Sequence, residues 1–189
     1  MLWPPPICRP RSMYNADRWQ TLGYALDRLA PGDIYEFGVH QGGTLAACAL
    51  ARPERSCYAF DTFDSGMQGS TAVDGDYFGR DGLMAEPLAK VRAFFNEIGA
   101  NNIAIIPGDV RRTLFSFIER PIALALVDLN IYEPTLAVLR WLGRFATDET
   151  IILVDDVGFS GVDRALADFT HERTIPHWEK DGYMARVYV

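Results

Sequence analysis

Ile122–Asp128, IALALVD, is apolar at every position until it ends on an aspartate. Thr150–Asp155, TIILVD, repeats the pattern. A strand with one face in water alternates apolar and polar residues. An unbroken apolar run is what a strand buried on both faces requires, as in a parallel sheet covered by helices. Outward from these two runs, shorter β-rich stretches precede helix-period stretches along the chain. Asp33–Phe37 (DIYEF), Cys57–Asp61 (CYAFD) and Asn102–Ile106 (NIAII) read as strands. Helices are predicted over Tyr14–Leu29, Thr44–Ala51, Glu86–Ile98, Val110–Ile118, Glu133–Phe145 and Gly161–Thr170. Ile175–Glu179 and Tyr183–Val189 read as a closing hairpin about Asp181-Gly182. This order predicts an α/β fold: a doubly wound, mostly parallel seven-stranded sheet with helices on both faces and a C-terminal antiparallel hairpin.

The chain has 189 residues, 49% hydrophobic and 23% charged, with a net charge of −7. That length and composition suit one globular domain, expected over residues 12–189 after a flexible N-terminal arm over 1–11. The acidic balance and the lack of a Lys/Arg cluster argue against a nucleic-acid partner, and Arg111-Arg112 reads as a solvated helix start. No apolar run reaches the length of a signal core or a membrane span, so no membrane partner is expected. Cys8, Cys48 and Cys57 are too far apart for a metal or redox pair and suit a reducing, cytoplasmic setting. The irregular stretch at about 64–85, rich in Gly, Ser, Asp and Met, is long enough to be a lid.

In open α/β sheets, ligands bind at the carboxyl ends of the strands, near the point where strand order reverses. Glu36, Asp61, Asp109, Asp128, Asp155 and Asp156 are the polar residues expected there. The turn Glu36–Thr44, EFGVHQGGT, has glycines that let backbone approach a ligand, but not the spacing of the pyrophosphate fingerprint. An acidic Glu36 at the strand end suits a cationic ligand better than a diphosphate. Asp61, about 20 residues beyond the turn, can accept both hydroxyls of a ribose. Asp109 can meet an adenine amino group or cap the helix from Val110. His40 reads as a cap or surface residue that also reaches the ligand side. If strands four and five are neighbours, Asp128, Asp155 and Asp156 converge on one rim. Their repulsion is relieved by a hard divalent cation, and oxygen-only ligands favour Mg²⁺ or Ca²⁺ over Zn²⁺.

Taken together, five segments resemble the macrocin O-methyltransferase type of small class I, Rossmann-like methyltransferase. They are EFGVHQGGT (Glu36–Thr44), FDTFDSG (Phe60–Gly66), IPGDVRRTL (Ile106–Leu114), LVDLNIYEPT (Leu126–Thr135) and IILVDD (Ile151–Asp156). The resemblance spans roughly residues 33 to 170. It implies S-adenosylmethionine held by Glu36, Gly38 and Asp61 with Asp109 near the adenine; His40, Gly42, Thr44 and Thr62 are expected to complete the donor site. It also implies metal at Asp128, Asp155 and Asp156, with Asp128 as base or ligand. Two residues depart from the family pattern: Asn130 stands where Asp is usual, and Pro134 where Ser is usual.

The expected reaction is Mg²⁺-assisted O-methylation of a small hydroxylated acceptor, sugar-like or natural-product-like, with a homodimer left open. Met67, Tyr77, Phe78 and Met84 are expected to line the lid. The alternatives are transfer without metal and a donor-binding protein without catalysis. A nicotinamide oxidoreductase is disfavoured by the glycine pattern.

Overall fold

The computed structural model describes residues 3–117, 120–173 and 177–188. Seven strands form one sheet: β1 (Asp33–Phe37), β2 (Cys57–Asp61), β3 (Ile103–Pro107), β4 (Ile122–Val127), β5 (Ile151–Val154), β6 (Trp178–Asp181) and β7 (Met184–Val187). Their spatial order is β3-β2-β1-β4-β5-β7-β6, parallel except for β7, which runs antiparallel to both neighbours. Strand order reverses between β1 and β4.

The apolar runs are explained by two cores. In β4, Leu124 and Leu126 join one core and Ala125 and Val127 the other; in β5, Ile151 and Leu153 oppose Ile152 and Val154. The first core is covered by α1 (Ala16–Leu26), α2 (Gly43–Ala51) and α4 (Leu88–Glu97). The second is covered by α6 (Tyr132–Phe145) and α7 (Ser160–Glu172). Rings from β1, β2 and α6 dominate it, with Tyr35–Tyr58 and Phe37–Phe60 centroids each 4.9 Å apart and Trp141 6.0 Å from Tyr35.

Two short helices complete the fold: α3 (Gly75–Phe78) and α5 (Val110–Thr113). Helix α5 stops at Thr113, not at Ile118 as periodicity suggests; the chain turns through 114–116, and Ile118 lies outside the described residues. The hairpin closes two residues later than expected on its first strand, with Gly182 at φ 63°; Ile175 and Val189 lie outside the described residues. The expected N-terminal arm packs against the body. Trp3 Nε1 donates to the Trp19 carbonyl at 2.8 Å, and Cys8 is buried in the first core. Gly43 makes room for it, since a Cβ there would collide with the backbone of Cys8 and Arg11.

Candidate active site

The strand ends carry the ladder one residue further and so fix the rim. Asp128 N–H donates to the Phe37 carbonyl and Asp155 N–H to the Val127 carbonyl, both at 2.8 Å. Gly38 N–H donates to the Phe60 carbonyl at 2.9 Å. At Gly38, φ is 91° and an added Cβ would run into the Asp128 carbonyl, so only glycine lets β1 and β4 close at the reversal point. Beyond it lies a cavity of about 320 Å³.

On the turn side, Asp61 organises the backbone. Its Oδ2 accepts from the amides of Val39 (2.7 Å) and His40 (2.8 Å), and its Oδ1 from Phe63 (2.6 Å). These bonds hold His40 and Phe63 in left-handed conformations, φ 48° and 49°. A carboxylate offers about four acceptor positions, so Asp61 keeps capacity on Oδ1 for a hydroxyl. Glu36 is 1% exposed and its Oε2 has no hydrogen-bond partner. Burial first, then Asp61 and Asp155, push its carboxyl well above the usual range. Thr44 and Thr62 line the cavity, and Thr44 shares a 2.8 Å hydrogen bond with Ser12. Gly42 caps α2, at φ 85°, with the Phe95 ring where its Cβ would be.

Asp109 does cap α5, accepting from Arg111 N–H at 2.9 Å. The Arg111 side chain also grips both its oxygens, with Nε 3.0 Å from each. Burial opposes ionisation, but the bonds to Arg111 prevail and hold the Asp109 carboxyl below its usual range. The expected solvated arginine is therefore a half-buried partner of the cavity wall, reaching on to the Gln68 carbonyl at 3.2 Å.

Strands β4 and β5 are neighbours, and Asp128, Asp155 and Asp156 each bring a carboxylate oxygen within 4.8 Å of the others. By donor type and spacing the trio fits a hard divalent cation. Burial, then Asp155, Asp156 and Glu36, hold Asp128 well above the usual range. Burial and Asp156 push Asp155 up to about 7, against the pull of Arg18. Arg18, on the first turn of α1, was not foreseen from sequence. Its Nε lies 2.7 Å from Asp155 Oδ1 and its Nη2 2.6 Å from Asp156 Oδ1. Asp128 makes no ion pair or side-chain hydrogen bond among the described residues. Asn130 adopts φ 65°, a left-handed conformation that Asn tolerates well, and lines the cavity beside Asp128. Tyr14 was also unforeseen: it lines the cavity, 8% exposed, with its hydroxyl unpartnered.

The stretch at 64–85 forms the opposite wall. Met67, Tyr77, Phe78 and Met84 all line the cavity, joined by Phe159, whose ring centroid is 5.0 Å from that of Phe78. The stretch is pinned by Asp74, which accepts from Tyr132 N–H and Thr71 N–H, each at 2.6 Å. Ser160 Oγ donates to the Val73 carbonyl at 2.7 Å.

The strand order, with an antiparallel seventh strand and a cavity at the β1/β4 reversal, defines the class I methyltransferase fold. The calicheamicin methyltransferase CalS11 has it, with TM-score 0.73 and 24% identity over 92% of this chain and 80% of that one. So does the O-methyltransferase NovP, with TM-score 0.81 and 17% identity over 94% and 81%. A precorrin-6y C5,15-methyltransferase from Geobacter metallireducens is similar at TM-score 0.57 and 9% identity, over 95% and 93%. No curated protein sequence matches the chain. A profile of the macrocin-O-methyltransferase (TylF) family matches residues 5–181, and the chain belongs to that family. It is an S-adenosylmethionine-dependent methyltransferase.

Proposed function

We infer that the protein methylates a hydroxyl of a small sugar-like or natural-product-like acceptor with the aid of a divalent cation, Mg²⁺ by preference. One observation carries this reading: a single cavity is bordered on one side by the glycine turn with its unpartnered Glu36 and on the other by the Asp128–Asp155–Asp156 trio. A donor at the turn and a hydroxyl at the trio would share one chamber, the proximity that methyl transfer needs. Relatives support the acceptor class: CalS11 is described as a TDP-rhamnose 3′-O-methyltransferase, of calicheamicin biosynthesis.

In this reading Glu36 faces the cationic end of the donor, and Gly38, His40, Gly42, Thr44 and Thr62 shape its bed. Asp61 takes a ribose hydroxyl on its free capacity, and Asp109, locked by Arg111, presents an ordered edge to the base. Asp128, Asp155 and Asp156 would hold the cation, which supplies Lewis acidity that lowers the pKa of the acceptor hydroxyl. Asp128 takes the hydroxyl proton, its carboxyl being held well above the usual range by burial and the neighbouring acids. The acceptor oxygen then forms its bond to the methyl carbon as the sulfur–methyl bond breaks. The apolar side chains of 64–85 act as a lid that keeps water out, within one domain over 12–189. The net charge of −7 favours a small molecule over a nucleic acid as acceptor, and three buried free cysteines suit the cytoplasm.

The test is methyl transfer to a panel of sugars, polyols and catechols, with and without EDTA. We expect transfer that collapses in EDTA and returns with Mg²⁺, and Asp128→Asn slower by about 10²–10⁴-fold. Undiminished turnover in EDTA removes the metal. Transfer without metal is a second reading, and the placement of the Arg18 guanidinium on the acidic pair is the observation that favours it.

A further inference from the structure

We propose that Arg18 is an internal cation that competes with divalent metal for Asp155 and Asp156, so that metal loading requires its guanidinium to be displaced. This rests on reading the trio as a metal site.

A cation shared by two adjacent carboxylates lies between their oxygens, and that is where the guanidinium lies, 2.7 Å from Asp155 Oδ1 and 2.6 Å from Asp156 Oδ1. The side chain is 14% exposed, so solvent screens the contact weakly. Arg18 is the third residue after the Asn15 cap of α1, and its own amide is tied to the Asn15 side chain at 3.0 Å. The positive end of a helix dipole is a poor place for a cation; the acids, not the helix, hold the guanidinium there. That hold is incomplete. Arg18 Nη2 donates a hydrogen bond to Asp156 Oδ1 at 2.6 Å, whereas Nε and Asp155 Oδ1, buried and 2.7 Å apart, are not aligned for one. A charge-assisted contact lacking its directional part is the weaker competitor for a carboxylate that a divalent cation can ligate directly.

The displaced side chain also has somewhere to go. The guanidinium carbon already lies over the Tyr183 ring, 5.2 Å from its centre, and over the Tyr14 ring at 5.8 Å, so a guanidinium displaced from the carboxylates keeps an aromatic face to rest on. Thr21 Oγ1 donates to Asp181 Oδ2 at 2.9 Å, fastening α1 to the hairpin that carries Tyr183, so the backbone need not move.

The test is Mn²⁺ affinity of the full chain, by calorimetry and by the spectrum of free Mn²⁺, without donor or acceptor. Arg18→Gln should bind at least about tenfold more tightly than the wild type, as removal of a nearby unit charge predicts. Arg18→Lys, a single ammonium unable to bridge both carboxylates, should fall between. Adding Asp155→Asn to Arg18→Gln should abolish the gain. Unchanged or weaker binding by folded Arg18→Gln, with Mn²⁺ still bound by the wild type, overturns the inference and leaves the metal reading standing. No Mn²⁺ binding by either protein removes both. Should Arg18→Gln not fold, the Arg Nε–H spectrum of the wild type decides. Saturating Mg²⁺ should shift the Arg18 resonance, and a stationary resonance overturns the inference.

Discussion

Glu36 carries a cost of folding that the proposed donor would offset. It sits 1% exposed at the end of β1 with one oxygen unpartnered, so burial and neighbouring acids hold its carboxyl well above the ordinary range. A carboxyl raised in the folded state contributes stability that is complete below its unfolded pKa of about 4.3 and is lost as pH rises through the folded value. Glu36→Gln should therefore match the wild type in Tm near pH 4 and exceed it at pH 8, both without donor. Removing such a buried charge is expected to yield about 1–3 kcal/mol, with Tm moving about 2–4 °C per kcal/mol. The same variant should bind S-adenosylhomocysteine or S-adenosylmethionine at least about tenfold more weakly, a cost of about 1.4 kcal/mol. Equal melting temperatures at pH 8 would show that the carboxylate is not held at a cost. At this scale the acids at strand ends were legible, because chain position alone places them on the rim. Arg18 was not: the side chains of Arg18 and Asp156 meet across a separation of 138 residues, and nothing in the local pattern of α1 points to strand five.

At the scale of elements, the stretch at 64–85 is a pinned wall. Helix α6 starts at Tyr132 after Ile131, which has no side chain able to cap it. Asp74 supplies that cap from 58 positions upstream, 2.6 Å from Tyr132 N–H, and is 4% exposed. Its other oxygen closes a capping box with Thr71. Asp74→Ala would orphan these donors together. We expect a loss of about 2–3 kcal/mol and a fall in Tm of about 5–10 °C. Amide exchange should accelerate across 66–85 and in the first turn of α6, and not in β4. Exchange confined to global unfolding would show that the wall and the body open as one unit. Sequence marked this stretch as irregular and apolar-lined, and its four inward side chains were identifiable. The pinning was not, because a cap contributed by a distant segment leaves no mark near the helix it serves. Strand positions were readable because both faces of β4 and β5 are buried, whereas α5 came out short because its periodicity outlasts its hydrogen bonding.

For the molecule as a whole, the legible part is the sheet and the illegible part is what the sheet's rim is set against. Unbroken apolar strands impose two cores, two cores impose a doubly wound order, and that order puts a crevice at the β1/β4 reversal. The crevice is bounded by Glu36, Asp61 and the acidic trio, which leaves the free protein with unpaired charge in its own cavity. A ligand that satisfies those groups should therefore stabilise the whole fold, because the cavity joins both cores through β1 and β4. For a ligand present at about 100 times its Kd, linkage gives about 2.7 kcal/mol. In a domain of this size that corresponds to a rise in Tm of about 5–10 °C. S-adenosylhomocysteine should produce that shift and NAD should not, since the turn lacks the glycine spacing that receives a pyrophosphate. The increment should shrink in Glu36→Gln. A shift with NAD equal to that with S-adenosylhomocysteine would mean that the turn reads the adenosine the two ligands share, and that Glu36 does not select the sulfur-bearing end.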